Sequence, residues 1–428
     1  MARIEPFRAV IYNQGVIGDL SSVACPPYDV ISPAKQQYYH DLSPHNFIRI
    51  LLGKDLPKED KYRRAAQLFN NWQKEKVFIP DSSPAIYFYS QQYNLKGEKK
   101  TRMGFIARLR LEDKNSVIYT HERTRVEPKE DRLKLLKAVK TNLSPIFVVF
   151  SDKKRVIRYV YETQARDTEP FIDIVDQDKV SHKIWRLGGE HILNRIQADM
   201  QKENIFIADG HHRYEVACAY RREMIKKLGA PDDGAGFNYI LAYFTNTSSS
   251  ALTILPIHRL LKLSPRQDTG KFMASLKEHF DLEEVKDKVR FFFLMEKGGR
   301  SEHLLGMYCA KKYWLLRLKN IKILDRIISD KPREFRSLDI AILNYLILRR
   351  TLGVDLEDKD ILTFSHDAKE LVEKADSDSS YVVFFLNPVR MEQIISVAKT
   401  GENMPSKSTY FYPKVLSGLL INKHKENS

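Results

Sequence analysis

Seven consecutive residues, Asp209-Gly-His-His-Arg-Tyr-Glu215, bring together two carboxylates, a glycine, two imidazoles and a guanidinium. The apolar run before them, Glu203-Asn-Ile-Phe-Ile-Ala-Asp209, predicts a buried strand, and 211–228 predicts the helix that it feeds. A strand ending in an acid, a glycine that lets the backbone come close and a helix beginning at once form an anion-binding arrangement. The first-turn amides of a helix lack intrahelical partners, and the helix dipole favours negative charge beside them. Arg213 can lay a planar fork of donors on a phosphate, while His211 or His212 can donate hydrogen bonds or move protons. Asp209 can hold Mg²⁺ through oxygen. Taken singly, Asp209 as a helix cap, Gly210 as a turn residue and the histidines as polar surface are plainer readings; their coincidence at one junction favours chemistry. His211 or His212 with Glu215 also falls at the spacing of a zinc-binding helix face. Neither HExxH nor HxxEH is present, however, and a third ligand would have to come from His121 or His258.

Phosphoryl transfer needs a base as well as cations. Glu122, in His121-Glu-Arg-Thr124, and Asp29, in Pro26-Pro-Tyr-Asp29, are the two candidates. Their plainer duties are a surface or ion-paired carboxylate for Glu122 and a turn residue for Asp29. His121, Arg123 and Arg125 would add positive field around a donor. Lys407, Ser408 and Thr409, together with Lys414, combine hydroxyls and cations after Pro405, as a second phosphate-binding loop would; an ordinary turn is the alternative. His258 and Arg259 follow a strand-like run and can reach the same pocket, with a purely structural arginine as the competing reading.

The elements that must position these groups are legible as periodicities. Residues 1–50 read as loop-rich, punctuated by Cys25-Pro-Pro-Tyr-Asp-Val-Ile-Ser-Pro33. A helix is predicted over 62–76, and strands over 85–93 and 102–111 joined at Asn94-Leu-Lys-Gly97 read as a hairpin. A helix over 129–142 and a buried strand over 144–150 follow. Further strands are expected at 237–245 and 251–257, a helix at 268–282, strands within 289–318, and an apolar helix at 338–352. A strand at 381–386 and a helix at 389–399 precede a basic, turn-rich end, and 422–428 reads as a frayed polar tail.

A chain of 428 residues with 43% apolar side chains suits a globular protein of two or three domains. Without a clear linker, Ser264-Pro265 is the expected boundary, giving regions 1–264 and 265–428. No run approaches the ~20 apolar residues of a membrane span, and the first residues lack a signal-peptide core, so a cytoplasmic location is expected. Cys25, Cys218 and Cys309 are too few and too far apart for a disulfide framework or a zinc knuckle and are expected to be reduced. The net charge of +15 favours an anionic partner of some kind. The absence of a recognisable helix-turn-helix or concentrated basic stripe argues against nucleic acid. No GxxxxGK[ST], GxGxxG or protein-kinase signature occurs, which disfavours a conventional nucleotide kinase.

Several separated motifs resemble one family: Arg3-Ile-Glu-Pro-Phe-Arg8, Cys25-Pro-Pro-Tyr-Asp-Val-Ile31, Pro44-His-Asn-Phe-Ile-Arg49, His121-Glu-Arg-Thr124, Asn142-Leu-Ser-Pro-Ile-Phe147, Ile207 to Glu215, Leu255-Pro-Ile-His-Arg259 and 404–414. They are similar to large bacterial and archaeal proteins with an ADGHHRYE motif, related to free L-serine kinases of the ParB/sulfiredoxin-like superfamily. The resemblance implies an α+β, mixed α/β fold with a ParB/sulfiredoxin-like catalytic core and an added α/β C-terminal region. It implies an Mg²⁺-dependent transfer of phosphate to the hydroxyl of free L-serine, with pyrophosphate the favoured donor and ADP or ATP the alternatives. Gly210, His211, His212, Arg213, His258, Arg259, Lys407, Ser408, Thr409 and Lys414 would then hold the donor. Glu215, Asn46 and Arg49 would hold serine. Ile257 stands where threonine is expected in such proteins, removing one hydroxyl. Since the superfamily also includes CTP-binding DNA-partitioning proteins and sulfiredoxins, a nucleotide- or nucleic-acid-binding regulator and a phosphohydrolase are the alternatives.

Overall fold

A computed structural model of the chain describes residues 2–112, 117–122, 124, 126–229, 233–264, 268–356, 358 and 361–424. Arg123, Arg125 and Pro265 lie outside the described residues. The chain forms two compact units, the first made of Met1–Thr120, Thr124–Thr253 and Pro413–Ser428, the second of His121–Arg123 and Ile254–Tyr412. The chain thus leaves the first unit before Ser264, because the strand His258–Lys262 pairs with partners from 362 onward. It also re-enters that unit at Pro413. The fold is mixed α/β, with a large mixed sheet in one unit and an antiparallel sheet in the other.

The large sheet of the first unit is built from β1 (Ile4–Glu5), β2 (Ile86–Leu95), β3 (Glu98–Arg110), β4 (Ile118–Tyr119), β5 (Ile146–Phe150), β6 (Ile172–Val175), β7 (Ser181–Leu187), β8 (Ile205–Asp209) and β9 (Tyr239–Asn246). Their order is β4-β8-β5-β9-β3-β2-β7-β6, with β1 also against β3. The β4–β8 and β5–β9 pairs are parallel and the others antiparallel. The expected hairpin is β2–β3. Its two-residue turn, Lys96 at φ 51° and Gly97 at φ 83°, has the left-handed backbone that matches strand twist.

Alternation along β3 sends Phe105, Ala107 and Leu109 into a core shared with Val148, Ile207 and Phe244. The Phe105 and Phe244 rings stack 5.0 Å apart, a pairing worth about 0.5–1.5 kcal/mol beyond area burial. Arg102, Gly104, Ile106 and Arg108 take the opposite face. Gly104 is obligatory there, since a Cβ would stand 2.1 Å from the Phe244 carbonyl oxygen.

Helices of this unit include α1 (Pro33–Leu42), α2 (Lys61–Lys74), α3 (Val126–Val139), α4 (Glu190–Met200) and α5 (His211–Leu228). The presence of α1 corrects the loop-rich reading of 1–50. Ser32 accepts a hydrogen bond from the Lys35 amide and Pro33 opens the helix, but its polar sequence buries only Tyr39 and His40, so no apolar period announces it. In α2, Asp60 caps the Tyr62 and Arg63 amides while Ala65, Phe69 and Trp72 form the buried stripe. The polar end is not entirely frayed, for Asn422 and Lys423 pair with Asn142 and Thr141.

In the second unit β10 (His258–Lys262), β11 (Phe280–Val285), β12 (Leu304–Cys309), β13 (Lys312–Leu318), β14 (Leu362–Ser365) and β15 (Tyr381–Phe385) form an antiparallel sheet ordered β11-β13-β12-β15-β10-β14. The helix expected over 268–282 ends at His279 as α6 (Thr269–His279), and the chain continues as β11. The expected strand from 289 is instead α7 (Lys288–Gly298). Asp287 accepts from the Arg290 amide at 2.6 Å, and Phe291 and Met295, one turn apart, enter the core while Val289 and Phe293 stay exposed. The cap and the four-residue spacing of the buried side chains decide for a helix.

Candidate anion-binding site

At the end of β8 the chain turns through Gly210 at φ 92°, and α5 begins at His211. A Cβ on Gly210 would lie 2.9 Å from Ile146 Cγ2 and 3.0 Å from the Arg213 guanidinium carbon. Positive φ and the folded-back arginine together require glycine there. No side chain of the N-cap residue serves the first turn of α5.

Asp209 is the centre of the site. Arg213, one turn along the helix, donates to Asp209 Oδ2 at 2.8 Å and to the Pro145 carbonyl. Lys414 Nζ donates to Oδ1 at 2.9 Å. The three side chains are only 16%, 12% and 11% exposed, respectively. Burial pushes the Asp209 carboxyl up, but Lys414 and Arg213 outweigh it and hold the group well below the usual carboxylate range. His211 is buried, and burial lowers its pKa to about 4 against the opposing pull of Asp209. It is therefore neutral at pH 7. Two cations against one carboxylate, at a helix N-terminus, leave a net positive corner.

The turn Tyr28–Val30 adds two groups. Burial pushes the Tyr28 hydroxyl up, Asp29 reinforces this, and Arg213 and Arg132 oppose it. Arg132 from α3 lies 4.4 Å over the Tyr28 ring and donates to the Leu51 carbonyl at 2.6 Å. Asp29 is exposed. A cavity of about 60 Å³ adjoins Tyr28, Arg132 and Arg213, with Leu136, Leu143 and Val216 on its apolar side. Tyr28 and Arg132 were missed in the sequence; only the Pro26-Pro-Tyr-Asp29 turn signal pointed their way.

Other expected ligands have structural duties. Asn46 is fully buried, its amide donating to the Ser22 carbonyl at 2.8 Å and its oxygen accepting from the Ile48 amide at 3.0 Å. Arg49 donates to the His40 and Ser43 carbonyls. Asn46 thus ties the 43–48 turn to Ser22, and Arg49 ties it to the end of α1, so both side chains are engaged in holding backbone. Glu215 accepts from Thr124 at 2.6 Å and from Lys129 at 3.0 Å, tying α5 to the start of α3. His212 is half-buried in the first turn of α5.

In the second unit His258 is a core residue whose Nδ1 accepts from the Leu386 amide at 3.2 Å, and burial lowers its pKa to about 3. Arg259 is 1% exposed, lies over Phe364 and donates to the Ile257 carbonyl and, at 2.8 Å, to the Lys407 carbonyl. Both side chains, on opposite faces of β10, are buried and engaged within the second unit. The Lys407 amide donates to Glu122 Oε1 at 3.2 Å, and the Met404 amide to the His121 carbonyl at 2.7 Å. Lys407 is exposed with φ 58°, Ser408 is buried and donates to the Pro405 carbonyl, and Thr409 is half-buried. The expected grouping of Lys407, Ser408 and Thr409 with Lys414 divides at Pro413: the first three belong to the second unit, Lys414 to the first.

Each oxygen of Asp209 already accepts from a cation, so a divalent metal there would share the carboxylate with Arg213 and Lys414. Among the described residues no group of three or more His, Cys, Asp or Glu is placed to hold a metal ion. Also among them, the cysteines are free, and no helix is long and apolar enough to cross a membrane.

Fold and corner together define a mixed α/β protein with a positively charged strand-to-helix corner. The chain belongs to the family described as protein of unknown function DUF1015, whose model matches residues 4–341. No curated protein matches its sequence. Among solved structures it is similar to a conserved hypothetical protein from Pyrococcus furiosus, at 13% identity and a TM-score of 0.32, over 70% of this chain and 88% of that one. A variant of a free serine kinase in complex with ADP gives 12% identity and 0.33, over 69% and 83%. C-terminally truncated SbnI from Staphylococcus aureus gives 12% and 0.34, over 71% and 83%. Likenesses this remote carry no chemistry across.

Proposed function

We propose that the protein is a small-molecule phosphotransferase that phosphorylates the hydroxyl of free L-serine, with pyrophosphate the favoured donor and ADP or ATP the alternatives. The observation that carries this reading is the convergence of Arg213 and Lys414 on Asp209 at the N-terminus of α5. Asp209 orients the two cations, and the cations with the helix amides take the donor's phosphate oxygens. His211, neutral at pH 7, acts as a donor or acceptor and adds no charge. Mg²⁺ belongs to the substrate in this reading, arriving as the counterion of the polyphosphate. The serine hydroxyl oxygen bonds to the terminal phosphorus as the bridging P–O bond breaks, the electron pair leaving with phosphate from pyrophosphate, or with AMP or ADP from the nucleotide donors. Asp29, the exposed carboxylate beside Tyr28, accepts the hydroxyl proton.

The deciding experiment incubates the purified full chain with Mg²⁺, L-serine and, separately, pyrophosphate, ADP or ATP. Phosphoserine with one of these donors is the expected product. Release of phosphate without phosphoserine would make the protein a phosphohydrolase. Inactivity with every donor, joined to tight, salt-sensitive DNA binding, would favour the regulator instead.

A further inference from the structure

Lys414 reaches Asp209 from a stretch of backbone that belongs to no strand or helix. Something other than a ladder of hydrogen bonds must fix it. Gln91 on β2 and Arg102 on β3 are direct cross-strand partners on the face of the sheet away from the Phe105 stripe, and both are 0% exposed. The Arg102 guanidinium lies 4.5 Å over the Phe147 ring and 5.6 Å over that of Tyr243. It donates to the Gln91 side-chain oxygen and, at 2.5 Å, to the Pro413 carbonyl. The Gln91 amide donates to the next carbonyl, that of Lys414, at 2.9 Å. Phe147, on which Arg102 rests, is itself the strand partner of Asp209. One sheet therefore carries both the carboxylate and the clamp on the residue that pairs with it.

Burying a guanidinium is costly, and an aliphatic residue would fill the same space at less expense. What the aliphatic residue lacks is a planar fork that can stack on an aromatic ring and donate in its own plane. We propose that Arg102 and Gln91 are positioning residues that set where the Lys414 ammonium stands, by gripping the Pro413 and Lys414 carbonyls from within the sheet. The proposal rests on the phosphotransferase reading for the purpose of Lys414, but its geometry can be tested separately.

The test uses the full chain with Arg102→Lys, which keeps the charge and loses the fork, and Gln91→Met, which keeps the volume and loses both polar atoms. Lys414→Met is the reference. The Asp209 carboxyl is followed by its ¹³C shift against pH, and inorganic pyrophosphate binding by calorimetry. In both positioning variants the Asp209 titration should move up by about one pH unit or more, as in the reference. Pyrophosphate affinity should fall about tenfold, and adding Arg102→Lys to Lys414→Met should weaken it no further. An Asp209 titration unchanged in folded Gln91→Met protein would overturn the proposal, whatever Arg102→Lys does. A shifted titration with pyrophosphate affinity unaffected by Lys414→Met would uphold the positioning and overturn the phosphate reading.

Discussion

Lys414 Nζ lies 2.9 Å from Asp209 Oδ1 although 205 positions separate the two residues. Neither neighbours the other in sequence, and the acid's second oxygen is taken by Arg213 from its own helix. The site is thus a carboxylate shared by one local cation and one distant one.

Removing either cation should therefore weaken anion binding, whereas removing the acid should leave binding and misplace the bound anion for reaction. Charge-assisted hydrogen bonds contribute about 1.5–3 kcal/mol each, so Arg213→Ala and Lys414→Met should each raise the Kd for pyrophosphate roughly tenfold to a hundredfold. Asp209→Asn should keep the affinity and reduce turnover about a hundredfold, because the cations remain but lose their common anchor. Calorimetry and single-turnover assays read the two effects apart. Near-native turnover in all three variants would place the chemistry elsewhere.

Gly210 combines φ 92° with an arginine 3.0 Å from the place of a Cβ. Gly210→Ala should destabilise the first unit by about 1–3 kcal/mol and displace Arg213. A lower urea midpoint with reduced pyrophosphate affinity is the expected result; an unchanged midpoint would contradict the backbone argument.

His211 makes stability depend on pH. Its folded pKa, about 4, lies below the ordinary 6.5. The unfolded chain then takes up the proton first, and stability falls as pH drops from about 6.5 towards 4. The stability lost over that range is about 3 kcal/mol. His211→Gln should shrink the stability difference between pH 7 and pH 4.5 in urea titrations. The flattening should be partial, because His258 and His424 are also lowered by burial.

The two candidate bases can be separated. Asp29 is exposed beside Tyr28, whereas Glu122 accepts the Lys407 amide. Asp29→Asn should lower kcat by about 10²–10⁴ with little change in KM. Glu122→Gln should retain most of kcat and increase hydrogen exchange at Lys407. The reverse pattern would make Glu122 the base.

Arg259 holds the Lys407 carbonyl from inside the second unit. Arg259→Ala should cost about 3 kcal/mol or more by leaving a cavity and an unanswered carbonyl. Exchange at 404–409 should rise with it. Protection of that segment at the original level would show that Glu122 and His121 suffice to hold it.

Local pattern was enough to find the chemical segment. The apolar run 205–209, the glycine and the uninterrupted helix 211–228 are short-range features, and the structure has β8, Gly210 and α5 in those places. The hairpin β2–β3 was legible for the same reason, its turn residues standing between two alternating runs. Where a helix opened inside a region read as strands, as at α7, or was too polar to show a stripe, as at α1, the sequence misled. The partners of Asp209 were a different matter. Asn46, Arg49, His258 and Arg259 had the right chemistry for ligands, but burial and the backbone claim them, carbonyls for Asn46, Arg49 and Arg259 and the Leu386 amide for His258. Arg102 looked like an ordinary strand residue and is a buried clamp. Sequence determined which groups existed and which short elements carried them, because capping, turn and periodicity signals act over a few residues. Only the tertiary structure decided which distant carbonyl, cation or ring each group would meet, because those meetings depend on strand order and on where the chain returns at Pro413.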